Sequence, residues 1–324
     1  MLDPRLLRTS RELFLSAVAG GLMRLPVWVV DRLTTLFEEE EVEAGRRIFA
    51  AGEPVELIYF MREGRVQLSR EGVPPWVFEG RWVLGPGDAV LDRPYPRTAV
   101  ALTNISLLRI PAEAWLELLE DSFDLARGAI AGTVRGVAEL EARLWATQAD
   151  PRGRTIAVPH HTQRIKESAG RPLSFVDRLS FFARAGMFRT AGVQVLTDVV
   201  GLVEERTFEA GAPLFTRENS PVAVLIVIEG EVLGDRRSAP FPALRVHFGP
   251  GTVVGGVAAL DEPIRAWDAH AVTPVRVLAL KHEDWFDLIE DHFDLVRSVL
   301  GQISLTRESL LEQLAAGKPE LVLG

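Results

Sequence analysis

The chain has 324 residues, 47% apolar and 25% charged, the mix of a soluble globular protein with room for about two domains. Its net charge of −9 argues against a nucleic-acid-binding surface as its main business, and no basic stretch is dense enough to act as one. The lack of cysteine excludes disulfides, zinc–thiolate sites, iron–sulfur clusters and thiol catalysis, and is compatible with a reducing cytoplasm.

In chain order, the first apolar run is FLSAVAGGLM (14–23), which Arg24 closes. It is too short to span a bilayer and lacks a basic start with a small-residue cleavage site, so we expect a core helix, no membrane segment and no export signal. PVWVVDRLTTLFEE (26–39) reads as a second helix. Short β-type runs follow, punctuated by glycine and proline: RIFAAGE, ELIYFMREGRVQL, PWVFEGRWVLGPGD and RTAVALTNISLLRIP. Helical periodicity then runs through EAWLELLEDSFDLARGAIAGTVRGVAELEARL (113–144). The proline- and glycine-rich segment 148–174 reads as a linker. The same order then repeats: SFVDRLSFFARAGMF and VQVLTDVVGLVEE as helices, β-type runs, and EDWFDLIEDHFDLVRSVLGQISLTRESLLEQL (283–314) as the closing helical stretch.

The repeat is visible residue by residue. VEAGRRIFAAGEPVELIYFMREGRVQL (42–68) matches FEAGAPLFTRENSPVAVLIVIEGEVLG (208–234), with Gly45 on Gly211 and Gly64 on Gly230. LGPGD (84–88) pairs with FGPGT (248–252), and WLELLEDSFDLAR (115–127) agrees with WFDLIEDHFDLVR (285–297) at 8 of 13 positions. We therefore expect an α+β protein of two tandem jelly-roll-like β-barrels, each flanked by N- and C-terminal helices. The expected domains are 1–147 and 175–324, joined by the linker 148–174.

The AG-x-x-[IL]-F segments (44–49 and 210–215), the EG turns (63–64 and 229–230), the GPG triplets (85–87 and 249–251) and the aromatic-rich start of each closing helix resemble the cyclic-nucleotide-binding domain family. That family includes bacterial catabolite-activator-type regulators and the regulatory subunit of cyclic-AMP-dependent kinase. The resemblance covers nearly the whole chain, twice. It implies a phosphate-binding cassette of the form G-E-[LA]-A-L…P-R-[ST]-A. In it, amides of a short helix and an arginine hold the cyclic phosphate, and the glutamate holds the ribose hydroxyl.

Carried over residue by residue, Gly255 falls on the cassette glycine, and Gly256 stands where the glutamate should be. Val257, Ala258, Ala259 and Leu260 continue the short helix, Arg265 takes the arginine position eight residues before Thr273, and Ala266 follows it. With the GPG triplets aligned, the first copy is 6 residues shorter between Gly87 and Thr103 than the second between Gly251 and Thr273. It then has no G-E pair and little room for the helix. Asp88 follows its GPG, Tyr95 takes the arginine position, and Arg97 lies two residues on. That copy reads as having lost its cassette.

No cupin-type histidine set and no G-x-S-x-G, Walker, G-x-G-x-x-G or H-E-x-x-H motif appears, so we expect no enzyme, metal or cofactor. His160 and His161 are adjacent in the linker and point opposite ways in an extended chain. RLLRTS (5–10) and RGRTI (152–156) resemble basophilic kinase sites, a short pattern common by chance. The segment after the second closing helix is short and not basic, so no helix-turn-helix is expected. Ala126, Ile130, Thr133, Val134, Val137, Leu140 and Leu144 form one apolar stripe, and Val296, Val299, Leu300, Ile303, Leu310 and Leu314 another. The family resemblance implies helices that move or dimerise when ligand binds, but packing on their own barrel or between the two copies is the reading we favour for these stripes. Two functional readings stay open. One is a sensor whose second copy binds cyclic AMP, cyclic GMP or another phosphate ligand and alters contact with a protein partner, including a further copy of itself. The other is a ligand-independent scaffold with vestigial pockets.

Overall fold

The computed structural model describes residues 27–146, 154–157, 171–184, 188, 191–216, 222–236, 244–255 and 267–324. Helix α1 (Val27–Leu36) leads into strands β1 (Glu38–Val42), β2 (Arg47–Phe49), β3 (Leu57–Glu63), β4 (Arg65–Arg70), β5 (Val73–Glu79) and β6 (Trp82–Leu84). A short helix α2 (Pro86–Val90), strands β7 (Thr98–Ala101) and β8 (Ile105–Pro111), and helices α3 (Ala112–Asp121) and α4 (Phe123–Ala146) complete the first set. Then come β9 (Arg154–Ala157), α5 (Phe175–Phe182), α6 (Val193–Leu202), β10 (Glu204–Phe208), β11 (Pro213–Phe215), β12 (Val222–Glu229), β13 (Val232–Arg236), β14 (Leu244–Phe248) and β15 (Val253–Gly255). The last elements are β16 (Trp267–Ala271), β17 (Val275–Lys281), α7 (His282–Asp291), α8 (Phe293–Ala315) and β18 (Leu321–Leu323).

The fold is mixed α+β with jelly-roll topology, but the sheets do not close into the barrels expected from the sequence. The first unit has a four-stranded sheet β1-β8-β3-β6 and a five-stranded sheet β18-β5-β4-β7-β2. The second repeats this as β10-β17-β12-β15 and β11-β16-β13-β14-β9. Among the described residues each sheet keeps two edges. Edge strand β1 reads EEEEV, which the sequence assigns partly to the preceding helix. It is a strand because Arg109, opposite it on β8, holds Glu38 at 2.7 Å and Glu40 at 3.1 Å, and Arg62 holds Glu39 at 3.0 Å. Charged edges of this kind resist further strand pairing.

The central strands read as unbroken apolar runs because both of their faces are covered. In the first unit, Phe60 on β3 meets Phe37 edge-on at 5.1 Å and Trp115 of α3 at 5.7 Å. In the second, Phe188 links Phe182 of α5 at 4.9 Å to Trp285 of α7 at 6.1 Å. Helix α5 starts on a capping box, in which the Ser174 hydroxyl accepts from the Asp177 amide and the Asp177 carboxylate accepts from the Ser174 amide. The closing helical stretches are not continuous. Ser122 and His292 adopt extended backbone and divide each stretch into a short helix and a long one.

The compact units are Met1–Leu144 with Ile303–Gly324, and Trp145–Gln302. These bounds differ from those drawn on the sequence at two places. Part of the expected linker is strand β9, paired in parallel with β14 through Arg154↔Leu244 to Ala157↔His247. The final 22 residues belong to the first unit rather than the second, where β18 pairs in parallel with β5 through Leu321↔Trp76 to Leu323↔Phe78. Leu321 and Leu323 are buried and Val322 is exposed, the alternation of a half-buried strand. Along α8, Leu310, Leu311, Leu314 and Ala315 are buried. No helix among the described residues is long and apolar enough to cross a membrane.

Candidate functional site

Strand register fixes how the two cassettes correspond. In both units the amide after the EG glycine donates to a threonine hydroxyl, Arg65 to Thr103 and Glu231 to Thr273, each at 3.0 Å. In the first unit β3 pairs with β6 through Tyr59↔Leu84 and Phe60↔Val83. In the second, β12 pairs with β15 through Leu225↔Val254 and Ile226↔Val253. Gly85 therefore corresponds to Gly255, and both have positive φ, 94° and 91°. The GPG triplets aligned in the sequence are not equivalent.

This corrects the reading of the first copy. From Gly85 to Thr103 and from Gly255 to Thr273 the two segments have the same length. The first copy has not lost its short helix: α2 follows Gly85 directly, as the cassette form requires. The length difference lies upstream, before β6. In the corrected frame Pro86 stands opposite Gly256, Gly87 opposite Val257, Asp88 opposite Ala258, and Tyr95 still falls opposite Arg265. The register of β2 on β7 and β11 on β16 supports that last pairing, since Phe49↔Ala99 answers Phe215↔Ala269.

Tyr95 is a packing residue. Its ring stacks on Phe49 with centroids 3.8 Å apart, its hydroxyl donates to the Leu57 carbonyl, and its amide donates to Glu53 O at 3.0 Å. Burial pushes the hydroxyl's pKa up, so it stays a neutral donor. A Cβ at Gly85 would come within 3.2 Å of this ring, so glycine there serves both the turn and the close approach. Pro86, at the carboxylate position, supplies neither a carboxylate nor an amide N–H.

The charge of this region comes from arginines on either side of Tyr95. Arg97 is 1% exposed, with its guanidinium 3.5 Å above the Trp76 ring and its Nη1 donating to Pro74 O at 3.3 Å. Its Nε has no hydrogen-bond partner among the described residues. Arg93 donates from Nε to Asp88 at 2.8 Å and from Nη2 to Glu308 at 2.7 Å. Glu312, one helical turn further along α8, accepts from Arg70 at 2.7 Å and lies 3.8 Å from Arg97 Nη2. Burial raises the Asp88 carboxyl above its usual range, against the opposing hydrogen bond from Arg93. Desolvation and then the neighbouring Arg70 lower the pKa of Arg97, which Glu312 partly offsets.

The sequence reading therefore placed Asp88, Tyr95 and Arg97 in one region of the first unit, but missed Arg70, Arg93, Glu308 and Glu312. The Glu308/Glu312 spacing of four residues marks one helix face, yet nothing local says which unit that face covers. In the second unit, Gly255 ends β15. Gly256, Val257, Ala258, Arg265 and Ala266 lie outside the described residues, as do His160, His161 and the RLLRTS segment. Of RGRTI, Arg154, Thr155 and Ile156 lie in β9.

The cyclic nucleotide-binding domain model matches residues 39–122 and 205–292, more than half of the chain. No curated protein matches. Among solved structures, the chain is 14% identical to the regulatory domain of Toxoplasma gondii PKA with cAMP, covering 93% of this chain and 97% of that one, with a TM-score of 0.34. It is 12% identical to the regulatory subunit of a cAMP-independent protein kinase A from Trypanosoma cruzi bound to guanosine, covering 89% and 86%, with a TM-score of 0.32. It is 23% identical to the sensor domain of the transcriptional regulator DNR from Pseudomonas aeruginosa, covering 45% of this chain and 94% of that one, with a TM-score of 0.35.

Proposed function

The chain belongs to the cyclic nucleotide-binding domain family in both of its halves, and from that premise we propose a non-enzymatic regulatory protein whose second unit is the sensor. Its ligand is cyclic AMP, cyclic GMP or another phosphate-bearing molecule, held by the amides of Gly255–Leu260 and by Arg265. Binding shifts the equilibrium of the helices that follow β17 and so alters contact with a protein partner. The observation that supports this reading is the matching register of the strands on either side of the two cassettes, between which the sequence count sets Arg265 against Tyr95. The second copy keeps a cation at the position where the first has a buried aromatic ring.

Gly256 weakens the reading for a cyclic ribonucleotide, because the carboxylate that would accept from the ribose hydroxyl is missing. A hydrogen bond to a charged partner is worth about 1.5–3 kcal/mol, or roughly one to two decades of affinity. The same observation favours the second reading, a ligand-independent scaffold. Calorimetric titration with cyclic AMP, cyclic GMP and cyclic dinucleotides, on the full chain and on Arg265→Ala, separates the two. Heat that disappears in Arg265→Ala supports the sensor, and no heat with any of these ligands removes it for them.

A further inference from the structure

The first unit presents its cassette to a segment of its own chain. Residues 303–324 belong to this unit, and α8 approaches α2 so closely that a Cβ at Gly87 would lie 2.8 Å from Ser304 Oγ and 3.0 Å from Ser304 Cβ. One turn on, Glu308 meets Arg93. Another turn on, Glu312 meets Arg70 and faces the buried Arg97. Arg307 adds a guanidinium 5.5 Å from the Trp82 ring. Ser304, Glu308 and Glu312 thus form an i, i+4, i+8 row laid along the cassette.

Apolar burial, not charge, holds the segment down. Leu310, Leu311, Leu314, Leu321 and Leu323 are all buried, and removing leucine side chains from water stabilises the docked segment. The partly exposed ion pairs add much less than a buried leucine, because solvent screens them. The carboxylates are therefore not needed to anchor the helix, and their placement on the arginines calls for a separate account. The repeat offers a control. A shift of 170 carries α4 onto α8, and the residues of α4 that correspond to Glu308 and Glu312 are Ala138 and Ala142. The acidic row belongs only to the helix that lies on the first cassette.

We propose that the first unit is self-liganded: Glu308 and Glu312 are the resident anions of the Arg70–Arg93–Arg97 cluster, and while residues 304–323 are docked this cluster takes no free phosphate-bearing ligand. The first unit then reads the docking of the chain's own C-terminal segment rather than a nucleotide. This holds whether or not the second unit binds one.

The test is anion rescue in the full chain, with Arg265→Ala in every protein to silence the second cassette. Glu308→Ala/Glu312→Ala removes both carboxylates and leaves the apolar anchor. We expect this variant to bind cyclic AMP or inorganic phosphate at least 10-fold more tightly than the protein with both glutamates intact, by calorimetry. Adding Arg97→Ala should abolish the gain. If the double-alanine variant fails to fold, Glu308→Gln/Glu312→Gln, which keeps side-chain volume, takes its place. Equal binding with and without the glutamates would overturn the proposal, because the segment would then not exclude the anion. A folded variant with no gain for either probe, or a gain that survives Arg97→Ala, would overturn it equally.

Discussion

The two cassettes share a length and a frame, and they differ in where their charge lies. In the second, the proposed cation is Arg265, which the sequence count sets at the family's arginine position. In the first, that position is Tyr95, packed on Phe49, and the charge has moved to Arg93 and Arg97 on either side. The partners differ in step. The first unit's arginines face Glu308 and Glu312, whereas the corresponding positions of α4 are the small Ala138 and Ala142. On this proposal a duplicated frame keeps its glycine turns and threonine anchors while one copy exchanges an external ligand for an internal one. The glycine turns and threonine anchors, common to both, belong to the frame. The residues at and beside the arginine position decide what the frame holds.

The hardest blow to this comparison is Tyr95→Arg, which gives the first copy the second's arginine. If Tyr95 is core, the substitution buries an unpaired charge, and the first unit should lose about 3–5 kcal/mol in urea unfolding without gaining cyclic AMP binding. A tight-binding, stable variant would show the first pocket to be open. Next, Gly64→Ala and Gly230→Ala test the shared frame. Both positions have positive φ, and a Cβ would lie 2.8 Å from Asn104 O in one and 2.2 Å from Pro274 O in the other. Each should cost more than about 2 kcal/mol, the second somewhat more, by thermal or urea unfolding. Unequal effects in the opposite order would mean the two frames are not equivalent. Gly256→Glu sharpens the contrast in ligand chemistry. It should tighten cyclic AMP binding by roughly 10- to 100-fold in calorimetry, an effect that Arg265→Ala removes.

The smallest effect concerns the helical entry to the second unit. Ser174→Ala should cost about 1 kcal/mol, by loss of the cap. It should also change acid sensitivity. Hydrogen bonds from the Ser174 side chain and amide hold the Asp177 carboxyl below its ordinary value of 3.8. A depressed carboxyl contributes stability that is present above 3.8 and lost as pH falls through the lower folded value. Unfolding curves between pH 2 and 5, on the order of the window this shift defines, should therefore fall less steeply in Ser174→Ala than in the unchanged protein.

Much of this molecule is legible in the sequence, because the signals are local. Alternation and β-branched runs marked β3, β4, β7 and β8. The repeated EDxFDL blocks marked both closing helical stretches, although not the single extended residue that divides each, since periodicity carries across one residue unbroken. The eight-residue spacing to Thr103 and Thr273 sets Tyr95 opposite Arg265 whichever glycines are aligned. Aligning GPG with GPG went astray because a glycine turn is cheap to place and occurs at more than one corner. Only strand pairing, Leu84 on Tyr59 and Val254 on Leu225, distinguished the equivalent glycines. Strand β1 was hidden for a related reason: four glutamates have poor strand propensity, and the arginine that accommodates them lies about 70 residues away.

The sequence by itself determined the duplication and the family, because those rest on turns, periodicities and spacings within a few residues of one another, whereas strand pairing decided which glycine opens each cassette. Tertiary structure alone decided that the last 22 residues complete the first unit and that Glu308 and Glu312 lie on its arginines. Those contacts join residues more than 200 positions apart. What brings them together is the burial of Leu310, Leu314, Leu321 and Leu323, and an apolar stripe states that it must be covered without stating by what.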